Sequence, residues 1–428
     1  MKKLEIQNVK GTCDYGSKEQ SIRNYITDTL KKVFEEYGYK PLETSILCYY
    51  ELLALKYDED NDILNEIYKV KDQGDRNLAL RYDLTVPFAK YIASNPNIKM
   101  PYKRYEIGKV FRDGPVKLGR VREFIQCDVD SVGIEGQLVE AELIELFIKG
   151  CKKLGVDVYI KYNNRKIMSG FVKECDIEEN KISQVITVID KFEKLSKEEI
   201  KEEFLKVGID ENQIEKLIKL LSLDFKTIEK LFKNTNNIEL LEGINEISEL
   251  NKYLEGIGLK DETIFSSSLA RGQEYYTGTI FEAYVKDGSI KSSLGGGGRY
   301  DKMIGDFIGD GKVYPAVGIS FGLEVLFEIL KNRESLNISN TKVYIIPMKN
   351  NIESLKIAKI LRDNNISVDI EMNSRKIKKS LDYANQENIP FVIIIGDDEL
   401  KENKVVFKDM LNNSQEIISI EEIIKRIV

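Results

Sequence analysis

The residues with the clearest chemical capacity lie between Tyr105 and Gly133, in the stretch YEIGKVFRDGPVKLGRVREFIQCDVDSVG. Arg112, Arg120 and Arg122 carry planar guanidinium forks, which suit phosphate oxygens better than an ammonium does. Phe124 offers a face to a planar base, and Gln126, Asp128 and Asp130 offer acceptors to an amine or an imidazole. Two apolar-alternating runs, Tyr105 to Arg112 and Val121 to Val132, flank a Gly/Pro-containing loop, the pattern of a long antiparallel hairpin. Along the second arm, alternation puts Arg122, Phe124, Gln126, Asp128 and Asp130 on one side and Val121, Glu123, Ile125, Cys127 and Val129 on the other. A solvated sheet face would also show charge here. The ordered series of cation, ring, amide and carboxylate sets this one apart.

Composition narrows the chemistry. The 428-residue chain contains no histidine, which excludes His-dependent triads, imidazole bases and His metal ligands. Its five cysteines, Cys13, Cys48, Cys127, Cys151 and Cys175, lack C-x-x-C spacing, so neither a disulfide framework nor a thiolate metal cage is expected. Catalysis therefore rests on charge placement, carboxylates, tyrosines or a metal held by oxygen. A net charge of −7 means that a nucleic-acid partner needs a local basic face. No apolar run approaches the length of a membrane span, and the first residues lack the apolar core of a signal peptide, so a cytoplasmic location without membrane contact is expected.

The elements that must position these residues can be followed along the chain. Residues 14–37 read as an amphipathic helix, followed by a strand from Lys40 to Leu47. Ile67 to Thr85 reads as strand, polar turn and strand, with Thr85 and Pro87 opening a helix. A helix from Gln137 to Leu154 and a strand from Val156 to Tyr162 follow the hairpin. Residues 166–260 turn Lys/Glu/Ile/Leu-rich and read as a helical insertion, with Ser196 and Glu199 forming a capping box and Gly208 ending that helix. Strands are expected at Ser267 to Tyr276 and Ile280 to Lys286. The run Gly295 to Gly298 is either flexible filler or backbone cleared for a ligand, and Arg299 and Tyr300 immediately after it favour the second. After a polar linker at 331–340, alternating strands and helices predict a small α/β domain with a mostly parallel sheet at 341–428. Arg375, Lys376, Lys378 and Lys379 cluster where its second helix begins, as a solvated helix end would.

With GTCDY near the start, LRYDLTVPFAKY at 80–91, FRDGPVKLGRVREFIQCDVD, LARGQEYYTGTIFE at 269–282 and GGGRYD at 296–301, the chain resembles histidyl-tRNA synthetases, class II aminoacyl-tRNA synthetases. The LRYDLTVPFA and QCDVD wording resembles their eukaryotic-type branch. The resemblance implies an α+β fold: a catalytic domain over 1–330 built on a six-stranded antiparallel sheet, the helical insertion at 166–260, and an anticodon-binding α/β domain at 341–428, working as a homodimer. It implies activation of L-histidine by ATP, with Mg2+ accompanying the nucleotide and no protein-only metal cage, followed by transfer to the terminal adenosine of histidine tRNA. Arg112 would hold the α-phosphate, Arg120 and Arg122 the outer phosphates, Phe124 would stack on adenine and Glu123 would sit at its edge. Arg271 falls at the family's catalytic arginine. Asp83, Thr85 and Gln126 would take the α-amino group, and Asp130 with Tyr276 the imidazole, Tyr275 and Tyr300 completing that pocket. Arg375, Lys376, Lys378 and Lys379 become candidate tRNA contacts.

Three positions depart from the family pattern. Val325 stands where motif 3 carries an arginine for the γ-phosphate, Gln273-Glu274 replaces Leu-Asp, and Ser45 replaces the motif 1 proline. Two other functions stay open beside an active ligase. One is the regulatory paralogue of ATP phosphoribosyltransferase, which lacks the helical insertion and the anticodon-binding domain. The other is a synthetase-like sensor that binds histidine or tRNA without activating.

Overall fold

The computed structural model describes residues 6–55, 62–117, 119–192, 194–271, 275–333 and 340–428. It divides into two compact units, Met1–Asp14 with Arg23–Ile329 and Tyr15–Ile22 with Leu330–Val428. In the first, the strands run β1 Lys40–Pro41, β2 Leu47–Tyr49, β3 Lys69–Lys71, β4 Asn77–Leu80, β5 Tyr102–Phe111, β6 Glu123–Val132, β7 Val158–Asn164, β8 Thr263–Phe265, β9 Thr279–Val285, β10 Gly295–Arg299 and β11 Ala316–Gly322.

Eight of them form one sheet in the order β1-β5-β6-β11-β10-β9-β7-β8. The inner six pair antiparallel, and only the edge strands β1 and β8 are parallel to their neighbours. The predicted hairpin is its centre: β5 and β6 pair from Tyr102↔Val132 to Phe111↔Glu123. One face of the sheet packs on helices Ser17–Glu36 and Leu138–Lys153. Leu30, Val33, Phe34, Leu143, Ile144 and Phe147 are fully buried there, and Phe147 stacks on Phe321 at 3.9 Å between ring centroids. Their spacing of three and four residues gives each helix its apolar stripe. The other face is left free for chemistry.

The strand expected from Lys40 to Leu47 is two strands in two sheets, since β2 joins β4 and β3 in a separate three-stranded sheet. The chain leaves the first ladder at Thr44, whose N–H and hydroxyl both donate to Glu106 Oε1, at 2.9 and 3.0 Å. Ser45, the motif 1 departure, is exposed just beyond. The strand expected at Ser267 to Tyr276 is absent among the described residues of that stretch. Side chains replace the ladder: Asn163 Nδ2 donates to the carbonyls of Ser267 and Leu269 at 3.1 and 3.0 Å, and Ser267 Oγ donates to Leu221 O at 2.7 Å.

Between Asn164 and Lys260 the chain is helical. The Ser196/Glu199 capping box forms, and a second one joins Asp210 to Gln213. Gly208, at φ +76°, closes the helix Lys197–Lys206 in the left-handed region that glycine enters freely.

The second unit carries β12 Val343–Pro347, β13 Val368–Ile370, β14 Phe391–Ile395, β15 Val405–Asp409 and β16 Ser414–Ile418, in the order β13-β12-β14-β15-β16. Its sheet is half parallel rather than mostly so: β12 pairs parallel with β13 and β14, while β14-β15 and β15-β16 are antiparallel. The short link from Asp409 to Ser414, folded by Asp409 Oδ1 accepting from the N–H groups of Leu411 and Asn412, allows only a hairpin. Of the expected linker, residues 334–339 lie outside the described residues.

Candidate active site

On the free face of the large sheet, β6 presents Phe124, Gln126, Asp128 and Asp130 to a pocket that β10 floors with Gly295–Gly298. Asp83 and Thr85 reach it from the start of helix Thr85–Ala93, where Asp83 Oδ1 accepts from Val86 N–H at 3.0 Å. Arg112 enters from the end of β5, and Arg271, Tyr275, Tyr276 and Tyr300 from the segments around β9 and β10. Ten residues expected at the site thus line one cavity. Arg112 and Arg271, 159 positions apart in the numbering, share it.

The glycine run is a central strand, not a loop. It is paired on both sides, to β9 and β11. A Cβ on Gly296 would overlap Arg271 Nη1, and one on Gly298 would lie 2.9 Å from Tyr276 Cδ1. The absent side chains therefore make room first for the site's own arginine and phenol, which lie directly on the backbone.

Arg104 anchors the carboxylate-rich end of the pocket. Completely buried, it places Nη2 2.7 Å from Asp130 Oδ2, donates to Leu84 O at 3.0 Å and covers the Phe88 ring at 4.5 Å. Asp130 Oδ1 accepts from the Tyr300 hydroxyl at 2.6 Å. Both carboxylate oxygens keep lone pairs in reserve, since a carboxylate has about four acceptor sites. Burial pushes the Asp130 carboxyl above its ordinary range, with Arg104 and the Tyr300 hydroxyl opposing. Asp83 rises to about 6 through burial, opposed by Val86 N–H and Arg112. Asp128 rises to about 8, again through burial, with Arg104 pulling it down and Asp130 pushing it up.

The end that holds Arg112 and Arg271 is set differently. Arg112 Nε donates to Tyr82 O at 3.0 Å, and its guanidinium stands over the Phe124 ring at 5.2 Å. Arg271 Nη1 lies 3.3 Å from Glu282 Oε1. Arg120 and Arg122 do not line the pocket. Arg120 Nη2 sits 3.0 Å from Glu66 Oε1, and Arg122 Nη2 3.0 Å from Asp113 Oδ1. Glu123 points to the opposite face of β6 and pairs with Lys109 at 2.5 Å, as alternation dictates. Val325 is buried, and a Cβ built on Gly119 in the hairpin loop would lie 3.3 Å from its Cγ2. Gln273 and Glu274 lie outside the described residues. In the second unit, Arg375 stands over the Tyr383 ring at 5.0 Å, with Nη1 3.5 Å from Glu371 Oε2, and Lys376, Lys378 and Lys379 are exposed.

Among the polar residues that line the pocket, Asp128, Ser293 and Ser320 have no role in what the family resemblance implies. Asp128 lies on the alternating face already singled out. Ser320 is its cross-strand neighbour on β11 and accepts from Gln126 Nε2 at 3.2 Å. Only the sheet register reveals it.

An inner antiparallel sheet of six strands, with arginines from two motifs over its glycine strand, defines the catalytic unit of a class II aminoacyl-tRNA synthetase. A model of the family "Histidyl-tRNA synthetase" matches residues 11–326, and one of the "Anticodon binding domain" matches residues 342–428. The chain is 47% identical to "Histidine--tRNA ligase 1" of Bacillus cereus (strain ATCC 10987), over 96% of this chain and 95% of that one. It is 35% identical to "Histidine--tRNA ligase" of Phocaeicola vulgatus, over 97% of each. The crystal structure of histidyl-tRNA synthetase from Nostoc sp. PCC 7120 superposes with a TM-score of 0.86 over the whole of both chains, at 29% identity. The chain belongs to the histidyl-tRNA synthetase family. These relatives are bacterial, so the eukaryotic-type branch suggested by the motif wording is not borne out.

Proposed function

We propose that this chain is a histidine–tRNA ligase. An α-carboxylate oxygen of L-histidine attacks the α-phosphorus of ATP, forming histidyl-adenylate and releasing pyrophosphate. A hydroxyl of the terminal adenosine of histidine tRNA then attacks the acyl carbonyl, and AMP leaves. The observation that carries this reading is that Arg112 and Arg271 share one pocket with Asp130, Tyr276 and Tyr300. Two guanidinium groups set where charge gathers on the α-phosphate stabilise the transition state without reorganising, and Phe124 beside Arg112 offers the ring for adenine.

Asp83, Thr85 and Gln126 would receive the α-ammonium, while Asp130 and Tyr276 would meet the two imidazole nitrogens, one as acceptor and one as donor. A pocket that satisfies both nitrogens rejects isosteres lacking either, typically by 10⁴ to 10⁵. Arg120 and Arg122 would serve the outer phosphates after leaving Glu66 and Asp113, and Glu123 would reach the adenine edge only if its strand end turned over. Mg2+ would arrive with ATP on phosphate oxygens, its preferred hard donors. No group of three or more Asp, Glu, Cys or His side chains suited to a metal ion occurs among the described residues. Arg375, Lys376, Lys378 and Lys379 would meet the tRNA backbone, and the enzyme would work as a cytoplasmic homodimer. No helix of the described residues is long and apolar enough to cross a membrane.

Val325 favours a second reading, a synthetase-like protein that binds histidine or tRNA without activating, because an apolar side chain cannot grip the γ-phosphate. Histidine-dependent exchange of labelled pyrophosphate into ATP separates the two. The ligase exchanges, and Arg271→Ala lowers the rate by two to three orders of magnitude, the usual loss of one preorganised donor. Absence of exchange in the unaltered protein favours the binder, and unchanged exchange in the variant removes Arg271 from the chemistry.

A further inference from the structure

The pocket holds more acceptors than the assignment above uses. Asp83 Oδ2, Gln126 Oε1 and Asp128 Oδ1 are each buried without a hydrogen-bond partner among the described residues. All three side chains line the pocket. Asp130 Oδ2 also lacks a hydrogen bond but has the Arg104 guanidinium 2.7 Å away; the other three have no such cation among the described residues, and because stranding a buried acceptor is unfavourable they point to a missing donor group.

The charges around Asp128 sharpen this. Arg81 Nη1 contacts Glu106 at 2.8 Å, and Arg104 Nη2 contacts Asp130 at 2.7 Å. Asp128 stands between these pairs, opposite Glu106 on β5 and Ser320 on β11, with no cation in ion-pair contact among the described residues. It is 3% exposed, so water cannot compensate a charge placed there, and ionisation calls for a cation from the ligand. Gln126 Nε2 is spent on Ser320 Oγ, which leaves Oε1 as the free end of that amide. Asp83 is held with Oδ1 on Val86 N–H, which leaves Oδ2. A primary ammonium has three N–H donors and a positive charge, and three free acceptors, two of them carboxylate oxygens, match it in number and sign.

We propose that Asp128 is a further specificity-determining residue, the third acceptor for the substrate's α-ammonium beside Asp83 and Gln126. This rests on the ligase reading, and it adds a residue to which the family resemblance gives no role. Asp128 makes the pocket demand a cationic amine next to the imidazole, so amino acids are admitted and des-amino imidazole acids are not. Its carboxyl, raised by burial in the empty protein, would lose its proton as the cation arrives.

Competition binding with L-histidine, histidinol and imidazolepropionate tests it on the full-length protein and on Asp128→Asn. Losing one charge-assisted hydrogen bond should weaken histidine and histidinol about 10- to 100-fold, while imidazolepropionate, which has no amine, changes less than about twofold. Asp128→Ser is the second variant and should show the same split if Asp128→Asn folds poorly. Equal weakening of all three ligands would place Asp128 against the imidazole and overturn the assignment, as would unchanged histidine affinity. Failure of the unaltered protein to bind histidine at all would instead strike the ligase reading.

Discussion

The two ends of the pocket are built to different standards. At the amino-acid end, Asp130, Arg104 and Tyr300 are buried and joined at 2.6 to 2.7 Å, and both Asp83 and Gln126 have one atom fixed by a neighbour. At the nucleotide end, Arg120 and Arg122 are paired with Glu66 and Asp113 on a partly exposed hairpin loop. The first end is held by buried contacts before any ligand arrives, whereas the second, on the proposed reading, would exchange internal partners for phosphate. Selectivity would then be stored in the core, and the contacts to the ATP tail would be assembled on demand.

The sharpest way to break this contrast is to remove the core cation. Arg104→Ala strands Asp130, while Glu106 keeps Arg81 and Thr44, and removing one partner of a buried pair typically destabilises by about 3 to 5 kcal/mol. Denaturant unfolding should show a loss of that order; a loss below about 1 kcal/mol would mean that the amino-acid end is not preorganised by charge.

A gentler probe is pH. The Asp128 carboxyl titrates near 8 in the folded protein against 3.8 ordinarily, under burial, with Arg104 opposing and Asp130 and Asp83 reinforcing the rise. A raised folded pKa gives stability that is fully present below the ordinary value and lost as pH climbs through the folded one. The ligand-free protein should therefore lose thermal stability between about pH 4 and pH 8, and Asp128→Asn should flatten that slope. An identical slope in the variant would assign the titration elsewhere.

The smallest effect belongs to the loop. Glu66→Gln releases Arg120 from a pair that is half-exposed on the arginine side, and such pairs are worth about 0.2 to 1 kcal/mol. KM for ATP in pyrophosphate exchange should fall by up to about fivefold with KM for histidine unchanged. A rise in KM for ATP would show that Glu66 positions the loop instead of restraining it.

What could be read in the sequence follows the same division. Period-2 alternation put Arg122, Phe124, Gln126, Asp128 and Asp130 on one face; the last four line one wall, because the sheet register leaves a strand no other way to sit, whereas Arg122 precedes β6 and pairs with Asp113 instead. The glycine run was legible as a place without side chains, yet what fills the space is Arg271 and Tyr276, brought from another segment, and local pattern carries no such information. The stretch from Ser267 looked like a strand from its composition, and long-range bonds from Asn163 overrode that preference. The loop arginines were legible as phosphate ligands, but their present partners, Glu66 and Asp113, are surface pairings that no spacing rule announces.

Arg104 has one further consequence. Because it donates to Leu84 O at the entrance of helix Thr85–Ala93 while touching Asp130 on β6, it ties the turn and helix start that bear Asp83 and Thr85 to the strand that bears Gln126, Asp128 and Asp130. On the proposed reading, the grips at the two extremities of the amino acid are thus clamped to a common bolt, and the span between them would act as a fixed gauge for side-chain length.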